Sequence, residues 1–171
     1  ALLSSQSFEK CRSSNLLLSE DVINTLNCLK KLGVKIKLTK NFCEIVGVGL
    51  NGFKYKKKLL LNAGNSGTLS RLIMGLLVHS KNDIKLTGDR SLSKRDFFRV
   101  SRPLEKFGAK YFTNQGKLPI IIKGTNNPLP IIYHETRGSA QCKSAVMLAA
   151  LNTKGETIIK AKKSRDHSEL M

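Results

Sequence analysis

Tryptophan is absent from this chain of 171 residues, and aromatics make up only 6% of it. So few rings argue against a base-stacking platform for single-stranded nucleic acid. Acidic residues are scarce as well, twelve against thirty Lys and Arg, which leaves a formal charge of +18. A surplus of that size points to an anionic partner, either nucleic acid or a phosphorylated small molecule. Long apolar runs are missing: nothing approaches the roughly 20 residues needed to cross a bilayer. The longest stretch, Leu72 to Val78, is interrupted by Gly75 and reads as a buried helix. The cysteines Cys11, Cys28, Cys43 and Cys142 include no C-x-x-C pair and have no His at metal spacing. Neither a metal site nor a disulfide scaffold is expected, and reduced thiols in a cytoplasmic compartment are. An initiator Met and a signal peptide are lacking too, so the chain is expected to be cut from a longer one.

What is present suits a globular domain, with 40% hydrophobic and 25% charged residues. Leu29 to Lys35 resembles Leu104 to Lys110, which sets Gly33 and Gly108 75 residues apart. Ala1-Leu2 matches Ala150-Leu151 and Ser19-Glu20 matches Ser168-Glu169, both at twice that spacing to within a residue. Each copy reads as strand, helix, strand, helix, strand, strand, an α+β pattern of repeated βαββαβ units. The units are expected at residues 1–50 (partial), about 59–123, and about 131–171 (partial). Ser19 is placed as a helix cap before Val22, Ile23, Leu26, Leu29 and Leu32, which recur at helical spacing. A helix is expected from Gly67 to Val78 and another over Phe98 to Phe107, the latter with Pro103 as an interior defect.

Four polar segments sit where chemistry is expected. Asn62-Ala63-Gly64-Asn65-Ser66-Gly67-Thr68 leads from a strand into an apolar helix, whose unpaired N–H groups favour an anion. It lacks the G-x-x-x-x-G-K-[ST] pattern of a Walker loop. Gly88-Asp89-Arg90-Ser91-Leu92-Ser93-Lys94-Arg95 follows another strand, and Lys94 and Arg95 are able to clamp phosphate or carboxylate. Gly138-Ser139-Ala140-Gln141 opens a further helix, on which Lys143 and Ser144 are expected to face solvent. Ser164-Arg165-Asp166-His167 is a last polar loop. Taken singly, the first reads as a plain helix cap and the second as an exposed basic loop more readily than as a ligand site.

Taken in order, they resemble 5-enolpyruvylshikimate-3-phosphate synthases from Leu16 to Met171. The resemblance rests on Asn65-Ser66-Gly67-Thr68 with Arg71, on Gly88-Asp89 with Ser91 to Arg95, and on Ser139-Ala140-Gln141 with Lys143-Ser144-Ala145. Leu151-Asn152-Thr153 and Arg165-Asp166-His167 complete it, and the Ser-Ala-Gln and Arg-Asp-His forms are similar to the glyphosate-tolerant class. The resemblance implies two domains, each a pseudo-threefold arrangement of these units packed helices-inward, an inside-out α/β barrel. Residues 1–171 would then form one incomplete domain. The implied reaction transfers the enolpyruvyl group of phosphoenolpyruvate to the 5-hydroxyl of shikimate 3-phosphate, with no metal or organic cofactor. By position, Ser139, Ala140, Gln141 and Arg165 would hold shikimate 3-phosphate. Asn65, Gly67, Arg95 and Gln141 would hold phosphoenolpyruvate.

Two departures accompany the resemblance. Asp96 stands where the family usually has Pro after the arginine. The Lys-Ser-x-Ser-x-Arg segment expected just before Ala1 is not in this chain, nor is the second domain with its proton-transfer groups, so no catalytic residue is assigned here and the chain alone is expected to be inactive. Two alternatives stay open at this level. One is a UDP-N-acetylglucosamine enolpyruvyl transferase, which relies on a loop cysteine that no segment here matches. The other is a basic nucleic-acid-binding module, whose affinity would fall steeply with salt. No specific nucleic acid and no membrane partner are expected.

Overall fold

The computed structural model describes residues 1–136 and 138–161. Helix α1 (Leu2–Gln6), strand β1 (Lys10–Ser14), helix α2 (Glu20–Lys31) and the hairpin β2 (Lys35–Leu38) and β3 (Phe42–Val46) come first. There follow β4 (Leu59–Asn62), α3 (Gly67–Leu76), β5 (Ile84–Thr87), α4 (Phe98–Glu105), β6 (Lys110–Asn114) and β7 (Lys117–Lys123). The described chain closes with β8 (Ile132–Glu135), α5 (Ala140–Ala150) and β9 (Ile158–Ala161). This is the α+β fold that the sequence pattern leads one to expect.

The strands form three sheets. In the four-stranded sheet, β4 runs parallel to β5, while β7 pairs antiparallel with both β5 and β6. The order β1-β3-β2, antiparallel throughout, repeats β5-β7-β6, and the parallel pair β8-β9 repeats β4-β5. Strand β7 shows how the pleat sorts its side chains: Leu118, Ile120 and Ile122 point inward while Lys117, Ile121 and Lys123 point out. Gly33 and Gly108 close α2 and α4 with φ of +90° and +104°, a left-handed conformation that other residues adopt only under strain. At Gly33 the space is also gone, since a Cβ would lie 2.6 Å from the Lys54 carbonyl oxygen.

Capping follows the sequence. The Ser19 hydroxyl accepts from the Val22 N–H at 3.4 Å, with Glu20 and Asp21 in the first turn of α2 and Lys30 and Lys31 in the last. The expected helix to Val78 instead ends at Leu76 and tightens into a 3₁₀ turn over Leu77–His79. Pro103 does lie inside α4. Its ring nitrogen cannot donate to the Arg99 carbonyl, and that oxygen accepts the Cys142 thiol at 3.4 Å instead. A neighbouring helix thus repairs the defect, and burial pushes the Cys142 thiol pKa up. Cys28 and Cys43 are likewise buried free thiols.

The sequence reading of Lys143 and Ser144 as solvent-facing is wrong: both are buried, at 5% and 9% exposure. Helix α5 packs on α3, α4 and β8, so almost no side of it is left for water. It comes close to α3 at Gly75, where a Cβ would lie 2.1 Å from the Ala145 carbonyl oxygen. None of the helices among the described residues is long and apolar enough to cross a membrane.

Two measurements test this packing. Gly75→Ala forces α3 and α5 apart and is expected to destabilise the chain by about 1–3 kcal/mol in urea unfolding. His79 is half-buried and its Nε2 has no hydrogen-bond partner among the described residues. Burial holds its pKa below the ordinary histidine value of 6.5 despite a bond with the Ala149 backbone. The unfolded chain therefore takes up a proton first as pH falls, so stability is full above pH 6.5 and declines below it. His79→Gln is expected to flatten that part of the stability–pH profile.

Candidate functional site

The site forms where the parallel strands β4 and β5 end. After β4, the Asn62 side chain accepts from the Gly64 N–H at 2.9 Å, and Ser66 caps α3 by accepting from the Leu69 N–H at 3.2 Å. The loop after β5 is tied to this turn, because the Asp89 N–H donates to the Gly64 carbonyl at 2.8 Å. The Asp89 carboxylate accepts from the Leu92 N–H at 2.6 Å and starts a 3₁₀ turn over Leu92–Lys94, pinned by the fully buried Leu92. Arg95 leaves that turn with its guanidinium directed back over the start of α3. Its Nη2 donates to the Asn65 side-chain oxygen at 3.5 Å.

A second guanidinium arrives from α3 itself. Arg71 lies four residues after Gly67, and helical side chains lean toward the N-terminus, so it covers the first turn. A Cβ on Gly67 would lie 2.7 Å from Arg95 Nη1 and 2.8 Å from Arg71 Nη1. Glycine is therefore what lets two cations close over the first turn of α3. Burial, then the nearby Arg95, pushes the Arg71 pKa below its ordinary value, with Arg99 adding to the repulsion. Concentrated positive charge at a helix N-terminus is an anion site in waiting.

Helix α5 supplies the third side. The Ser139 hydroxyl accepts from the Cys142 N–H at 3.3 Å, and the Ser139 N–H donates to the Glu135 carboxylate at 3.3 Å. Two residues into the helix, the Gln141 Nε2 donates to the Thr68 hydroxyl at 3.0 Å. Arg71 Nη1 donates to the Gln141 Oε1 at 2.9 Å and to the Gly67 carbonyl at 3.3 Å. The starts of α3 and α5 are thereby stitched together. An arrangement of backbone N–H groups, two arginines and an amide suits a ligand carrying phosphate and carboxylate. The apolar groove of about 350 Å³ lined by Leu2, Leu16, Leu26, Leu72 and Leu148 has no such groups.

Asp96 turns its carboxylate onto the backbone. Its Oδ1 accepts from the Phe98 N–H at 2.8 Å in an Asx turn just ahead of α4, whose N-cap is Phe97. The charge still acts on the site, since Asp96 works against the depression of the Arg71 pKa.

Residues 1–171 match the family model of EPSP synthase (3-phosphoshikimate 1-carboxyvinyltransferase). The chain belongs to the EPSP synthase family. It is 48% identical over 159 residues to the 3-phosphoshikimate 1-carboxyvinyltransferase of Ruthia magnifica, covering 92% of this chain and 36% of the relative. The enzyme of that name from a Bradyrhizobium strain is 41% identical over 174 residues, with 99% and 39% covered. Among solved structures, EPSP synthase from Acinetobacter baumannii superposes with a TM-score of 0.89 at 36% identity, over 98% of this chain and 39% of that one. The enolpyruvyl transferase NikO from Streptomyces tendae shares the fold, with a TM-score of 0.62 at 14% identity over 93% of this chain and 36% of its own. The chain thus spans between 36% and 39% of the length of these family members.

Of the residues singled out in the sequence, Asn65, Gly67, Arg95 and Gln141 come together around α3, with Ser139 and Ala140 at the start of the adjoining α5. Arg165 lies outside the described residues. The sequence reading counted Arg71 and Thr68 among the motif residues without giving either a role. The signal for Arg71 was its helical spacing from Gly67. Asp96→Asn keeps the oxygen that accepts from the Phe98 N–H and removes the charge, and is expected to leave stability unchanged while tightening phosphate binding a few-fold by titration. Asp96→Ala loses the hydrogen bond to the Phe98 N–H and is expected to lower unfolding stability by about 1 kcal/mol.

Proposed function

We propose that this chain is the larger part of the first domain of a two-domain enzyme that joins phosphoenolpyruvate to shikimate 3-phosphate. The acceptor's 5-hydroxyl adds to C2 of phosphoenolpyruvate while C3 gains a proton. The resulting tetrahedral intermediate then loses phosphate and a C3 proton to give 5-enolpyruvylshikimate 3-phosphate. This step feeds chorismate and aromatic amino-acid biosynthesis in the cytoplasm. The observation that carries the reading is the closure of Arg71 and Arg95 over Gly67 at the start of α3, beside Gln141 from α5. The names of the family members at 41% and 48% identity support the same substrates.

In this reading Arg95 grips the carboxylate or phosphate of phosphoenolpyruvate against Asn65 and Gly67. Ser139, Ala140 and Arg165 hold shikimate 3-phosphate, and Gln141 reaches both ligands. These groups bind and orient, which removes the entropy of bringing two anions together. Proton transfer falls to the second domain, so the chain alone binds ligand without turning it over.

Phosphate release measured with both substrates is the test. No turnover is expected from residues 1–171 alone, and turnover is expected from the full-length enzyme. In the full-length enzyme, Arg95→Ala is expected to raise KM for phosphoenolpyruvate about tenfold or more, the usual size for losing a hydrogen bond to a charged group. Turnover by the chain alone, or an unchanged KM, would overturn the assignment.

A further inference from the structure

We propose that Arg71 is a positioning residue that sets which end of the Gln141 side-chain amide faces the ligands. The proposal rests on the reading of Gln141 as a ligand contact.

An amide presents an acceptor on one side and two donors on the other, in nearly the same shape. A phosphate or carboxylate only accepts, so Gln141 helps bind such a ligand in one orientation and repels it in the other. Thr68 does not decide between them, because its hydroxyl both donates and accepts. Arginine does decide, because it has no acceptor. With Arg71 Nη1 at 2.9 Å, the amide atom facing it has to be Oε1, which turns Nε2 toward Thr68 at 3.0 Å. One Nε2 hydrogen serves the Thr68 hydroxyl and the other is left to donate to a ligand.

Arg71 is itself held rigidly enough for this. Its Nη1 also donates to the Gly67 carbonyl at 3.3 Å, and its guanidinium carbon lies 5.4 Å from the centre of the buried Phe97 ring. The three contacts come from different parts of the chain, namely the first turn of α3, the start of α4 and the start of α5. Arg71 therefore transmits the placement of α5 to the anion site on α3.

The test is steady-state kinetics of the full-length enzyme, with thermal melting as a check on folding. Arg71→Met and Gln141→Met are each expected to lower kcat/KM about tenfold, and the double variant about tenfold as well, because either change removes the same donor. Arg71→Lys, which only donates, is expected to stay within about threefold of the unmodified enzyme, whereas Arg71→Gln, which donates and accepts, behaves like Arg71→Met. Independent losses that multiply to about a hundredfold in the double variant would overturn the positioning role while leaving Gln141 as a ligand contact. Equal losses in the Lys and Gln variants would overturn it as well, and these milder changes decide the matter if Arg71→Met does not fold. A silent Gln141→Met would remove the ligand contact itself and the proposal with it.

Discussion

The close approach of α3 to α5 governs what happens at the site. Gly75 offers no Cβ, so the Ala145 carbonyl occupies space that any side chain would fill. The helices run side by side with their starts together, each capped by a serine, Ser66 on one and Ser139 on the other. Because the backbones are this near, Thr68 and Gln141 meet at 3.0 Å, and Arg71 reaches across to the same amide. A separation larger by even one methyl group would break that contact, since hydrogen bonds weaken over a few tenths of an ångström.

Electrostatics builds on that geometry. Burial first, and then repulsion between the two guanidinium groups, pushes the Arg71 pKa down. The fold tolerates the repulsion because each cation has an oxygen to bind: Asn65 for Arg95, and Gly67 and Gln141 for Arg71. None of these oxygens belongs to a carboxylate, and among the described residues no ion pair holds either arginine. Asp96 acts against the charge on Arg71, but its Oδ1 is committed to the Phe98 N–H at the start of α4. The overall charge of +18 matters less for this than the placing of two arginines.

Much of this was legible in the residue order, and the parts that were not have identifiable causes. The strand-to-helix turns at Asn65-Ser66-Gly67 and Ser139-Ala140-Gln141 announced themselves through small residues and caps, which act locally. Arg71 entered only as a motif residue with no role, because an arginine in the second turn of a helix looks the same whether it faces water or a neighbouring helix. Lys143 and Ser144 were misread for the same reason: polar residues on α5 suggested a wet face, and α3, α4 and β8 enclose it. Pro103 looked like a defect when α4 was considered alone, and only the Cys142 thiol, 39 positions away in the chain, shows how the freed carbonyl is satisfied.

The sequence by itself determined the elements, the caps and the 75-residue recurrence of glycine-closed helices, because these depend on neighbours within a few bonds. It also carried the motifs that mark the family. Only the tertiary structure decided that Gly67 lies under two guanidinium groups and that Gln141 is turned by Arg71. Those outcomes depend on contacts between residues 28 and 70 positions apart, whose distances are set by how closely helices pack and not by the local pattern of the chain.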